Sequence, residues 1–142
     1  MKRSIRENIE EIVNRETKAW DIQDVDLLLS IFHPDMVWPW PKTSRSHNPE
    51  EWIFELGRFD YERWRKFYVE SFHSHRLIHN KRKIRKIVIT KEGDGAFAVV
   101  DKDTLWINSE GQKELWKGRV CKVYSKGRKE WKLIMHTGVL EY

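Results

Sequence analysis

Asp101 and Asp103, one residue apart, are the first groups in the sequence that could move a proton. On a strand running from Ala96 they share a face with Phe97, Val99, Leu105 and Ile107. Two carboxylates on so apolar a face need partners or water. In a half-buried cavity one of them would have a raised pKa and act as general acid or base. The other reading pairs them across strands with Arg119 or Lys117, or leaves them in solvent beside Lys102. Arg119 likewise has two readings: a bidentate fork that orients an anionic ligand, or the partner of a neighbouring acid. His136, near a strand end, is a candidate proton carrier or a satisfied core histidine.

Eight tryptophans are many for 142 residues. Indole brings large buried area and one donor that needs a partner. These rings either build the core or line a pocket, and the candidates for a wall are Trp38, Trp40, Trp106 and Trp116. In Trp38-Pro39-Trp40 the proline stiffens the chain, and alternation turns both rings the same way. Such a wall suits flat or cationic ligands. Trp106 alternates with Asp103 and Leu105, so a regular strand keeps it away from the two acids unless a bulge intervenes.

His73, His75 and His79 suggest a metal site, but no single helix or strand puts all three on one face. With no acid between Ser71 and Lys91, a further ligand would have to come from far along the chain, and no metal is expected. His47 lies in a polar loop that could face a pocket mouth. Cys121 has no base beside it in sequence and reads as a packed thiol. The sequence has no phosphate-cradling glycine loop and no Gly-x-Ser-x-Gly elbow.

The elements that must hold these groups are legible. Ser4-Ile5-Arg6-Glu7 is a capping box, and Ile5, Ile9, Ile12, Val13 and Trp20 follow helical spacing. Asp24 starts a shorter helix through Leu27, Leu28, Ile31 and Phe32, which Pro34 stops. Residues 36–41 read as extended, because each proline moves its predecessor out of the helical region. Asn48-Pro49-Glu50-Glu51 signals another helix, carrying Trp52, Ile53 and Leu56 towards Gly57. Asp60 caps a further one with Tyr61, Trp64, Phe67, Tyr68 and Phe72. Strands are expected at 84–90, 96–107, 112–124 and 131–140, with turns at 92–95, 108–111 and 125–130. Connections this short demand antiparallel neighbours. The class is α+β, helices on one face of a strongly curved antiparallel sheet, in a single domain over 1–142.

Composition narrows the functions. The formal net charge is +5, from 27 Lys and Arg against 22 Asp and Glu. Six of the cations are Arg76, Lys81, Arg82, Lys83, Arg85 and Lys86; they read as a solvated loop and edge strand, or as a nucleic-acid contact. The acids spread through the rest of the chain argue against a broad nucleic-acid-binding face. No apolar run approaches the ~20 residues of a membrane span. The basic N-terminus lacks the apolar segment of a secretory signal. A single cysteine excludes an internal disulfide and fits a cytoplasmic setting.

From Trp20-Asp21-Ile22-Gln23-Asp24 through Val37-Trp38, the helix, acidic turn, helix and first strand resemble the nuclear-transport-factor-2-like superfamily, in its SnoaL-like and ketosteroid-isomerase-like group. Gly118-Arg119-Val120-Cys121-Lys122-Val123-Tyr124, Gly127 and Trp131-Lys132-Leu133-Ile134 resemble that group's last hairpin. The resemblance implies a cone-shaped fold, a conical pocket between sheet and helices, and commonly a homodimer packed through the outer face of the sheet. It implies a small-molecule ligand, aromatic or apolar, and no cofactor. The activity would be acid–base chemistry of the isomerase, hydratase or cyclase kind, or noncatalytic binding by a dimeric module. Steroid isomerisation itself is not expected: Trp40 falls at the position of the isomerase aspartate base and Glu16 at that of its first-helix tyrosine. In many SnoaL-like relatives the last strand carries histidines on its tryptophan face. Here that face reads Trp131, Leu133, Met135 and Thr137, which leaves His136 on the other unless a bulge moves it.

Overall fold

Three side-chain caps start the three helices of the computed structural model, which describes residues 2–45 and 48–141. Ser4 Oγ accepts from the Glu7 amide at the start of α1 (Ile5–Asp21). Asp24 Oδ1 accepts from Leu27 at the start of α2 (Val25–Ser30). Asp60 Oδ1 accepts from Arg63 at the start of α3 (Tyr61–Ser74). Each cap satisfies an amide that the first helical turn cannot. Ile9, Ile12, Val13, Glu16 and Ala19 form the buried stripe of α1, and Trp64, Tyr68 and Phe72 that of α3. Gln23, at a left-handed φ of 54°, ties the α1–α2 turn to the end of α3 by donating to the carbonyls of Phe72 and His75.

The five strands are β1 (Phe32–Val37), β2 (Arg76–Ile89), β3 (Gly95–Ile107), β4 (Lys113–Lys126) and β5 (Trp131–His136), in the spatial order β1-β5-β4-β3-β2. β2 to β5 form the expected antiparallel meander. β1 corrects the all-antiparallel expectation, because it runs parallel to β5. It enters from α2, not through a hairpin, so no short connection fixes its direction.

Four boundaries also differ from the sequence reading. α2 ends at Ser30, so Phe32 and Pro34, expected at the end of that helix, belong to β1. The 14-residue β2 begins at Arg76, so the basic stretch is strand; pairing along the whole of β3 outweighs the poor strand propensity of its Lys, Arg and Asn residues. The helix expected after Asn48 is a single 3-10 turn, Pro49–Glu51. Beyond it Ile53 exchanges two backbone hydrogen bonds with Trp40, which a helix would forbid. β5 ends at His136, and Leu140 returns to bridge Arg119 on β4.

Alternation along β3 sorts its side chains cleanly, and its pairing with β4 runs without a register shift. Ala96, Ala98, Val100, Thr104 and Trp106 are buried towards the helices. Phe97, Val99, Asp101, Asp103 and Leu105 take the outer face. Pairing carries the inner row across the sheet, with Lys102 between Arg82 and Gly118, and Ala98 opposite Lys122. Between β4 and β5 the register slips: Val123 faces Met135 but Tyr124 faces Leu133, so Ile134 is an extra residue. That bulge reverses the phase of the end of β5 and turns His136 inward opposite Lys122.

Candidate functional site

Between the inner face of the sheet and helices α1 and α3 lies an open-mouthed cavity of about 270 Å³. Aromatic rings wall it. Trp20 from α1 meets Trp38, Tyr68, Phe72 and Trp106 edge to face, with centroids 5.3–6.3 Å apart. Trp40 lies parallel to Phe67 of α3 at 5.6 Å. Trp116 completes the β4 side. The four tryptophans expected as a wall, Trp38, Trp40, Trp106 and Trp116, therefore line one cavity, with Trp20 and Phe67 added.

His136 lines the same cavity, because the bulge at Ile134 puts it there. Its ring stacks on Trp38 at 4.0 Å. Nδ1 lies 2.7 Å from its acceptor, the Thr137 carbonyl, so Nδ1 carries the proton. Nε2 is then a bare lone pair, shielded from solvent and bonded to no protein group. Burial, and then the nearby Lys122 ammonium, push the imidazole pKa well below its usual value, so the ring is neutral at pH 7.

Around His136 the inner face carries charge that sequence reasoning missed. Glu16 Oε1 and Lys122 Nζ form a fully buried ion pair at 2.8 Å. Trp20 Nε1 donates to the other Glu16 oxygen at 3.0 Å. Burial alone would raise the Glu16 carboxyl, but Lys122, and behind it Arg82, hold it well below the usual carboxylate range. Burial lowers the Lys122 ammonium against the pull of Glu16. Arg82 and Lys102, directly opposite each other on β2 and β3, also line the cavity. Arg82 Nε donates to Asn80 Oδ1 at 2.7 Å, whereas its Nη1 is buried without an acceptor. Burial first, and then the like charges of Arg82 and Lys122, push the Lys102 ammonium well below its usual pKa. The mouth holds a second pair, His75 Nε2 to Glu114 Oε2 at 2.9 Å.

Asp101, Asp103 and Arg119 are not in this cavity; they lie on the outer face, which corrects the expectation of an acid–base pair beside the tryptophans. Asp101 accepts from Arg119 Nε at 2.7 Å and from Arg85 Nε at 2.5 Å, and these bonds lower its pKa to about 2. Asp103 is held by His79 at 2.8 Å and is likewise lowered. Both acids are shifted opposite to what a proton donor at neutral pH needs. The regular strand also parts Trp106 from them, as alternation requires. His75 and His79 go to separate carboxylates, Glu114 and Asp103. Burial raises the half-buried Cys121 thiol, in keeping with a packed side chain. His47 lies outside the described residues.

No protein-family model matches the chain, and no curated protein matches it. Solved structures do. A ketosteroid isomerase-like protein from Erwinia carotovora atroseptica superposes with a TM-score of 0.68 at 13% identity, over 92% of this chain and 91% of that one. A conserved protein from Planctomyces limnophilus gives 0.70 at 15% identity, over 94% of each chain. A nuclear transport factor 2-like superfamily protein from Salmonella enterica gives 0.64 at 18% identity, over 94% of this chain and 88% of that one. Three helices on a curved five-stranded sheet, with a cavity between the layers, thus give the chain the nuclear-transport-factor-2-like, ketosteroid-isomerase-like cone fold.

Proposed function

We propose that this protein binds a flat, largely apolar small molecule inside the cone. One observation carries the reading: His136 and Arg82 line a single cavity walled by indoles, and each has a buried polar atom, Nε2 and Nη1, without a partner. Buried polar atoms are almost always paired. A ligand with one donor and one acceptor on an aromatic body supplies both missing partners while its ring fills the space between the tryptophans. The test is a screen of hydroxylated and carbonyl-bearing aromatics by thermal shift and tryptophan fluorescence. Binders should raise the melting temperature and quench the indoles. His136→Phe keeps a ring against Trp38 but removes the acceptor, so affinity for hydroxylated binders should fall about tenfold, near the cost of an unmade buried hydrogen bond. A fully inert screen, with no shift and no quenching, contradicts the reading.

A second reading, acid–base catalysis, is favoured by the state of His136. A neutral imidazole whose Nδ1–H is engaged offers Nε2 as a proton acceptor to a bound hydroxyl or an activated C–H. Deuterium exchange into a bound carbonyl compound, lost in His136→Phe, would support it. Retention of that exchange in the variant would remove His136 from the role.

The homodimer expected from the resemblance remains part of the proposal. Phe97 and Leu115 are 40% and 45% exposed on the outer face, and burying them is a reason for a second copy to dock there. Sedimentation would then give twice the chain mass, and Phe97→Glu would halve it. The nucleic-acid reading loses support, because Arg82 lines the cavity and Arg85 is bonded to Asp101.

A further inference from the structure

We infer that Arg82 and Lys102 form a carboxylate subsite in the cavity, which makes an aromatic acid the ligand class. This rests on the ligand-pocket reading above and specifies the ligand's charge. Among the described residues the inner face sets two carboxylates, Glu16 and Glu114, against Arg82, Lys102 and Lys122, and Glu114 is engaged by His75 at 2.9 Å. Glu16 and Lys122 satisfy each other at 2.8 Å. Arg82 and Lys102 are then left over in a cavity with five tryptophans in its lining. Unmatched charge in such a place is costly and persists where something outside the chain completes it.

Arg82 is held as a receptor group would be. Its Nε donates to Asn80 Oδ1 at 2.7 Å. The same Asn80 oxygen accepts from Thr104 Oγ1 at 2.8 Å, and Asn80 Nδ2 donates to Asp21 Oδ1 at 2.9 Å. This chain of bonds fixes the guanidinium from behind and leaves Nη1 buried and unpaired. Lys102 stands directly across the β2–β3 ladder, and no acceptor contacts its ammonium among the described residues. Burial and its like-charged neighbours lower its pKa, a penalty that a bound anion removes. A planar fork beside a point charge matches the two oxygens of a carboxylate. None of the described lining residues opens a helix, so no helix N-terminus offers its amides to a phosphate there.

The test measures tryptophan quenching by naphthalene-2-carboxylate, its neutral isostere 2-naphthamide, and 2-naphthyl phosphate. The carboxylate should bind at least tenfold more tightly than either of the others. Lys102→Met should cost the carboxylate at least tenfold and leave the amide unchanged. It should also raise the melting temperature, because a cation set beside the like charges of Arg82 and Lys122 is gone. Arg82→Met removes a fixed group and could lose the fold, so Lys102→Met is the deciding variant. Equal binding of carboxylate and amide, or unchanged carboxylate affinity in Lys102→Met, overturns the subsite and leaves the ligand pocket standing. Tighter binding of the phosphate overturns the carboxylate assignment. Binding by none of the three overturns the subsite, and the pocket reading falls separately only if the neutral screen is also inert.

Discussion

Asp101, Lys102 and Asp103 are consecutive, yet they belong to two different environments. On the outer face Asp101 meets Arg119 and Arg85, and Asp103 meets His79; both acids have a partner within the chain and both are partly exposed. On the inner face cations outnumber carboxylates, and Arg82 Nη1 and His136 Nε2 have no protein partner. The outer charges are matched within the chain and serve the surface. The inner ones are matched only in part, and the remainder is available to a ligand. A single step along a strand separates the two fates.

The contrast can be broken most severely at its inner pair. Lys122→Met leaves the buried Glu16 carboxylate without a counter-charge and should cost about 3–5 kcal/mol in denaturant unfolding. Adding Glu16→Met should recover most of that loss. If the single variant costs under about 1 kcal/mol, the pair is not desolvated as described. Gly118→Ala should rank next, at roughly 1–3 kcal/mol. Its φ of 152° is one that side chains rarely adopt, and an added Cβ would come 2.2 Å from the Leu140 carbonyl oxygen.

A pH titration sharpens the same comparison. The folded state lowers the His136 pKa, so the unfolded chain takes up a proton near 6.5 that the folded chain refuses. Stability is therefore full above pH 6.5 and falls as the pH drops below it, by up to about 1.4 kcal/mol per pH unit from this group. His136→Phe should flatten the curve between pH 6.5 and 5 relative to the unaltered protein. Parallel curves would mean that His136 is hydrated. The smallest effect belongs to the outer face. Asp101→Asn should change stability by less than about 1 kcal/mol, because Asp101, Arg119 and Arg85 are all partly exposed.

Much of the scaffold was readable before any coordinates. Ser4, Asp24 and Asp60 announce helix starts through local hydrogen bonds, and the turns at 92–95, 108–111 and 125–130 announce hairpins. The parallel β1–β5 edge was not readable, since it joins segments separated by most of the chain and no local rule reports it. The site was half legible. The tryptophan wall followed from residue type and proline spacing. The chemistry at its inner face did not, because both faces of β3 look apolar: Phe97, Val99 and Leu105 on one, Ala98, Val100 and Trp106 on the other. Alternation says which residues travel together but not which set meets the helices. Of the two readings of Asp101, the cavity one therefore fails and the pairing with Arg119 holds, whereas Lys102, read with the solvent, lines the cavity. His136 depended on a bulge at Ile134, and nothing in Trp131-Lys132-Leu133-Ile134-Met135 marks one.

The direct measurement is the indole N–H spectrum of the ¹⁵N-labelled protein titrated with naphthalene-2-carboxylate. The eight tryptophans report from different depths. The account predicts that Trp20, Trp38, Trp40, Trp106 and Trp116, which line the cavity, shift together and saturably, while Trp64 and Trp131 stay fixed. A spectrum in which no cavity indole moves, or in which Trp64 and Trp131 move as far as the rest, would contradict it.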